Sequence, residues 1–127
     1  MSRLSDSQVA DLQQRMEVRT EQLRREIAEY QDAASGKDEA AAVAGEGDEA
    51  DAAFAIASAN VDRAQHSRDV VELRDIESAR ERIQSGDYGV CVDCGVDIEY
   101  KRLQASPTAK RCHDCQGIHE QREAGRM

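Results

Sequence analysis

Tryptophan is absent from this chain of 127 residues, phenylalanine and proline occur once each, and aromatics make up 3% of it. So few large side chains exclude a single sizeable globular core. No apolar run approaches the ~20 residues of a membrane span, and the mean hydropathy of −0.74 agrees, so no membrane partner is expected. Clustered cations are missing as well: 17 Lys and Arg stand against 26 Asp and Glu, for a net charge of −9. Nonspecific binding to DNA or RNA draws on such clusters, so direct binding to DNA is not expected. The chain also lacks GxSxG, P-loop and HExxH signatures, and any GxGxxG in a strand–turn–helix setting; it is not expected to be an enzyme.

What remains is Ala, Glu, Asp, Arg and Gln, the composition of long solvated helices. Ser5 and Gln8 have capping-box spacing, and Met16, Thr20, Leu23, Ile27, Tyr30 and Ala34 follow at alternating steps of four and three. This stripe predicts a helix from Ser5 to about Ser35, stopped by Gly36. A second pattern runs from near Asp48 to Ser85, with a stripe through Ile56, Ala59, Arg63, His66, Val70, Leu73, Ile76 and Ile83, and Gly86 ends it. Arg63 and His66 are expected as partly exposed members of a thin seam. Neither helix hides its stripe alone, so the two are expected to pair as an antiparallel coiled-coil hairpin. Five of the nine net negative charges fall in residues 36–55, where the hairpin would turn. Acids in the first turn of a helix are also favoured by its dipole and by capping, so the cluster Glu46, Asp48, Glu49 and Asp51 has a purely structural explanation as well. Phe54, just past the turn, is expected either as an exposed contact residue or packed across the seam.

The four cysteines form two tight pairs, Cys91-x2-Cys94 and Cys112-x2-Cys115, with 17 residues between them. Two such knuckles bring four thiolates onto one tetrahedral zinc ion. Gly89 precedes the first knuckle and Gly95 stands where the chain must turn after Cys94. Two disulfides or a redox CxxC are the alternatives. Met1-Ser2-Arg3-Leu4 leads straight into polar sequence, so a reducing cytoplasm is the expected location, against disulfides; no βαβ setting supports a redox role. His113 and His119 are read as polar residues beside a complete ligand set. Four sulfurs leave no open position for water, so one structural Zn2+ is expected. The chain thus reads as mainly α: a hairpin over 1–85 with an acidic tip near 36–53, then a four-cysteine finger over 86–127 with a short helix from Gly117 to about Ala124.

The run Gly89-Val-Cys91-Val-Asp93-Cys94-Gly95-Val-Asp97-Ile98, with Arg102-Leu103-Gln104-Ala105-Ser106-Pro107 and Cys112-His113-Asp114-Cys115, resembles the zinc-finger signature of the DksA/TraR family. Asp48-Glu49-Ala50-Asp51-Ala52-Ala53 is similar to the DxxDxA element at the coiled-coil tip of that family. The resemblance covers about residues 5–124. It implies a monomeric bacterial transcription regulator that binds RNA polymerase through the secondary channel and alters open-complex stability. It gives Asp48 and Asp51 as functional acids of the tip and Ala53 as part of its contact surface. Members that respond to ppGpp carry basic residues on the second helix and after the last cysteine. Arg68 fits that pattern as a ppGpp-side contact, but Asp75 and Gln116 stand where lysines are expected, so ppGpp synergy is expected to be weak or absent. The alternatives are a zinc-ribbon nucleic-acid-binding or adaptor module, or a factor of the transcript-cleavage type. Lys101, Arg102, Lys110 and Arg111 form only a small basic group, offset by acids of the same module.

Overall fold

The computed structural model describes residues 3–43 and 49–125, of which 35–43 by their backbone alone. Four helices are described: α1 (Asp6–Val43), α2 (Glu49–Ser85), α3 (Tyr100–Ala105) and α4 (His113–Ala124). The remaining pairing among the described residues is one antiparallel bridge, Val90 with Asp97. The mainly α class and the paired long helices are therefore as the sequence predicts.

Local chemistry sets the ends of the long helices. At the start of α1 the capping box closes in both directions: the Gln8 N–H donates to Ser5 Oγ at 3.1 Å, and the Ser5 N–H to Gln8 Oε1 at 2.9 Å. At the end of α2, Gly86 takes φ +82°. Its N–H donates to the Ile83 carbonyl at 3.3 Å and that of Asp87 to the Arg82 carbonyl at 2.9 Å, a Schellman closure that a residue with a Cβ resists. Gly36, by contrast, does not stop α1, which runs on to Val43. One glycine inside a helix costs about 1 kcal/mol against alanine; the following Glu39, Ala40, Ala41 and Ala42 are strong helix formers that offset it. The expected connection of residues 36–47 is therefore helix over 36–43, and 44–47 lie outside the described residues.

The chain divides into two compact units: residues up to Val18 together with those from Arg74 onward, and Arg19–Leu73. In the first, Leu12 and Met16 of α1, Ile76 and Ala79 of α2, and Tyr88, Cys91, Ile98 and Leu103 are all buried. Full burial of such aliphatic side chains is worth about 1.5–3 kcal/mol each. Tyr88 donates its hydroxyl to the Pro107 carbonyl at 2.7 Å, and Arg82 Nη2 reaches the Thr108 carbonyl at 3.3 Å, so both hold the loop after α3.

In the second unit the two helices run antiparallel, because Arg19 meets Glu72 while the later Tyr30 meets the earlier His66. Among its described residues the buried side chains are Leu23, Thr20 and Asp69, two of the three polar. Ile27, Tyr30, Ala59, His66, Val70 and Leu73 are half-buried, as a thin seam requires. Ile56 corrects the expected stripe: it is 63% exposed, and Arg63 is exposed with it. The two lie one heptad apart on the same line of the helix, at the outer rim of the seam. The seam itself follows Ala59, His66, Val70 and Leu73.

Candidate zinc centre and acidic helix start

The zinc site begins with two turns of backbone. In the first knuckle the Cys91 N–H donates to the Val96 carbonyl at 2.8 Å and the Gly95 N–H to the Cys91 carbonyl at 3.0 Å, with Gly95 at φ +78°. In the second, Cys112 is the N-cap of α4, and its Sγ accepts the Cys115 N–H at 3.5 Å. α4 thus starts at His113 rather than near Gly117, because a thiolate at the N-cap and Asp114 in the first turn both suit the positive end of a helix. The 17 intervening residues hold α3, a helix the spacing did not announce.

Three hydrogen bonds draw the knuckles together. The Val92 N–H donates to the Lys110 carbonyl at 2.9 Å, Arg111 Nε to Asp93 Oδ2 at 2.8 Å, and Arg102 Nε to the Arg111 carbonyl at 3.0 Å. Sequence reading left Arg102 and Arg111 in a loose basic group; the geometry makes both part of the frame of the site. The place of Arg111 beside Cys112, with Asp93 inside the first pair, was the available signal for Arg111; none marked Arg102.

The four cysteines are free thiols whose sulfurs all lie within 4.8 Å of one another, with Cys94 and Cys112 at 3.8 Å. A tetrahedron with Zn–S bonds of ~2.3 Å has edges of ~3.8 Å. Neither histidine belongs to the cluster. Charge makes the same point. Burial pushes the Cys91 thiol up, but the backbone N–H groups of Cys112, Cys94 and Asp93 outweigh it and bring it down to about 6. Cys115 is pushed well above the ordinary thiol value by its neighbours Cys112 and Cys94. Several thiolates side by side repel one another, and a dication at their centre removes the repulsion. The donor set, its closure and its frame fit one structural Zn2+.

The acids expected at the tip divide. Asp48 lies outside the described residues. Glu49 and Asp51 occupy the first turn of α2 and are exposed, as is Ala53. Phe54 is 75% exposed, which places it outside the seam. Arg68 is exposed and donates to Gln65 Oε1 at 2.8 Å. Asp75 and Gln116 line one cavity of about 500 Å³ with Arg82, Arg102, Lys110 and His119. Arg102 and Lys110 belong to the small basic group read from the sequence; that Arg82 of α2 joins them was not visible there. Among the described residues no helix is long and apolar enough to cross a membrane.

Fold and site together define a class: a pair of long antiparallel helices carrying a four-cysteine zinc module. Residues 86–121 match the prokaryotic dksA/traR C4-type zinc finger. The RNA polymerase-binding transcription factor DksA of Escherichia coli (strain K12) is 41% identical over 51 residues, which make up 40% of this chain and 34% of that protein. DksA of Buchnera aphidicola subsp. Schizaphis graminum is 39% identical over 51 residues, again 40% of this chain and 34% of the relative. The matched segment thus spans about a third of the length of these curated relatives. Transcription factor DksA2 from Pseudomonas aeruginosa has a similar structure, with TM-score 0.69 and 26% identity, over 94% of this chain and 88% of that one. Residues 86–121 thus carry a four-cysteine zinc finger of the dksA/traR type.

Proposed function

We propose that this protein is a transcription regulator that binds RNA polymerase through its secondary channel and changes the lifetime of open promoter complexes without binding DNA. The observation that carries the reading is the combination of a DksA-type finger with a DksA2-like fold over nearly the whole chain, in which α2 opens on exposed acids. In this reading the hairpin of residues 1–85 and the finger module of 86–127 are the working parts, and the protein acts as a cytoplasmic monomer. Asp48 and Asp51 are the effector acids, and Ala53 belongs to their contact surface. Exposed carboxylates suit a divalent cation or a basic loop at the end of a narrow channel. The protein performs no catalysis of its own.

Synergy with ppGpp is weak or absent. Asp75 lines the cavity beside α4, and Gln116 Nε2 is engaged by Glu120 Oε1 at 3.1 Å. Both positions thereby withhold the cations that the family resemblance calls for, and a carboxylate repels a polyanionic nucleotide. Arg68 remains the one matching cation.

The deciding experiment measures open-complex lifetime on an rRNA-type promoter with purified RNA polymerase, for the wild type and for Asp48→Asn/Asp51→Asn. The wild type shortens the lifetime, and the variant binds polymerase but leaves the lifetime unchanged. A variant as active as the wild type removes the tip acids from the mechanism. A wild type that neither binds polymerase nor changes the lifetime defeats the reading altogether. Adding ppGpp to the same assay changes the wild-type effect little; strong synergy that disappears in Arg68→Ala contradicts the second claim.

A further inference from the structure

Among the described residues of the unit 19–73, the buried positions are taken by Leu23 and by two polar side chains, Thr20 and Asp69, each 4% exposed. A seam this thin is where burying a carboxylate is least expected, since each buried polar group must be matched or it destabilises. Asp69 is matched: Gln65 Nε2 donates to its Oδ1 at 2.8 Å. Beside it the seam is crossed by a two-pronged ion pair, Arg19 Nε to Glu72 Oε1 and Arg19 Nη2 to Glu72 Oε2, both at 2.8 Å. The hydrogen bond to Glu72 holds the Arg19 guanidinium above its ordinary pKa against the opposing effect of burial, and the charges of Glu26 and Asp69 add to it. Farther along, the rings of Tyr30 and His66 stack at 4.2 Å with 16° between their planes.

We propose that this polar layer is a register lock, a set of positioning residues that admits one alignment of α2 against α1. The apolar stripe cannot do this alone, because a heptad pattern looks much the same after a slip of one heptad. The polar groups do not. After such a slip Arg19 faces Gln65 or Ala79 instead of Glu72, and neither offers a carboxylate. Tyr30 faces Ala59 or Leu73 instead of His66, and the ring stack is lost. Asp69 meanwhile leaves the neighbourhood of Arg19 with its charge still in the seam. Each wrong register breaks an ion pair, a ring stack and a buried carboxylate's surroundings together, whereas the right one satisfies all three. Polar groups in such a seam add little to net stability and act here through the choice of alignment. The consequence for regulation, which rests on the reading above, is that the acids at the start of α2 keep one height against α1.

The test is a distance measurement that needs no polymerase, so its failure is separable from failure of the proposed function. Spin labels are carried on ketone-bearing unnatural residues at the exposed positions Arg24 and Arg63, which leaves the zinc cysteines untouched. Double electron–electron resonance on the zinc-loaded full chain gives one distance population. In Asp69→Leu/Glu72→Leu a second population is expected, from an axial slip of about 10 Å, or one heptad at ~1.5 Å per residue. The helical signal and Tm stay equal to the wild type or higher. One unshifted population in the leucine variant overturns the lock. Should that variant fail to fold, Asp69→Asn/Glu72→Gln, which keeps shape and hydrogen bonding but removes both charges, is read in its place by the same criterion.

Discussion

In the unit that bears the zinc site, Ile76, Leu103 and Leu12 are shut away from water, and four converging sulfurs tie its two knuckles together. Among the described residues between Arg19 and Leu73, Leu23 alone of the apolar ones is as deeply buried, and Thr20 and Asp69 take the other closed positions. One unit therefore stands on metal and apolar packing, and the other on helix propensity with a polar seam. Both answer the shortage of aromatic residues. The first replaces the missing core volume with a cross-link; the second is long and thin enough to need little core. They should fail separately, by different agents and to different degrees.

The largest expected difference comes from zinc. Binding energy at a four-thiolate site is folding energy, with apparent values of about 10 kcal/mol or more in small zinc modules. Chelation, or Cys94→Ser, is expected to abolish amide-exchange protection from Tyr88 to Ala124. Helical signal from residues 19–73 is expected to survive. Hydrogen exchange by residue checks this, and uniform loss of protection in both units breaks the comparison at its root.

Next in size is the apolar contrast. Leu103→Ala removes a side chain with no exposure, and about 3 kcal/mol of destabilisation is expected where the site cannot collapse. Ile27→Ala acts on a half-buried residue whose neighbours already meet water, and about 1 kcal/mol is expected. Urea unfolding followed by a local probe in each unit measures both. Equal costs would mean that the seam is packed as tightly as the zinc-bearing unit.

How much of this the sequence discloses follows from the range of the interactions. Local signals read well: the Ser5–Gln8 capping box, the stop at Gly86 and the CxxC pairs depend on residues a few positions apart. Gly36 misled because a stop signal is a bias of about 1 kcal/mol, open to being outweighed by the alanines that follow. Ile56 misled because a stripe counted on heptads does not say which of two adjacent lines faces the partner. The Arg19–Glu72 bridge and the burial of Asp69 were not legible. Each joins residues from separate turns or helices, and nothing in composition distinguishes these charges from the many solvated ones. The acids at the start of α2 carry meaning through family resemblance, since their geometry alone is that of any helix N-terminus.

A smaller effect sharpens the contrast through pH. Burial pushes the Tyr88 phenol up to about 12, against a modest opposing pull from Arg82. The raised pKa favours the neutral phenol in the folded state, so its contribution is complete below the unfolded value near 10. That contribution is lost as the pH rises from about 10 through about 12. Tyr88→Phe is expected to cost about 1 kcal/mol at neutral pH for the lost hydrogen bond to Pro107, and to flatten the stability curve between pH 10 and 12. A curve for the variant as steep as that of the wild type would assign the alkaline loss to other groups.

The smallest expected effect concerns the ion pair across the seam. Arg19 and Glu72 are 37% and 40% exposed, so water screens them despite their two-pronged geometry. A double-mutant cycle with Arg19→Met and Glu72→Gln should return a coupling of about 0.5 kcal/mol, falling further in 1 M salt. Such a value would be too small to hold two helices together, yet it leaves the pair free to act on alignment. A slipped register must leave Arg19 without its carboxylate and Asp69 without its guanidinium at once, so the discrimination between registers exceeds the strength of either contact. A coupling above about 2 kcal/mol would instead make the seam electrostatically bound. The unit would then be held by charge as the other is held by zinc, and the contrast between them would narrow to the choice of ion.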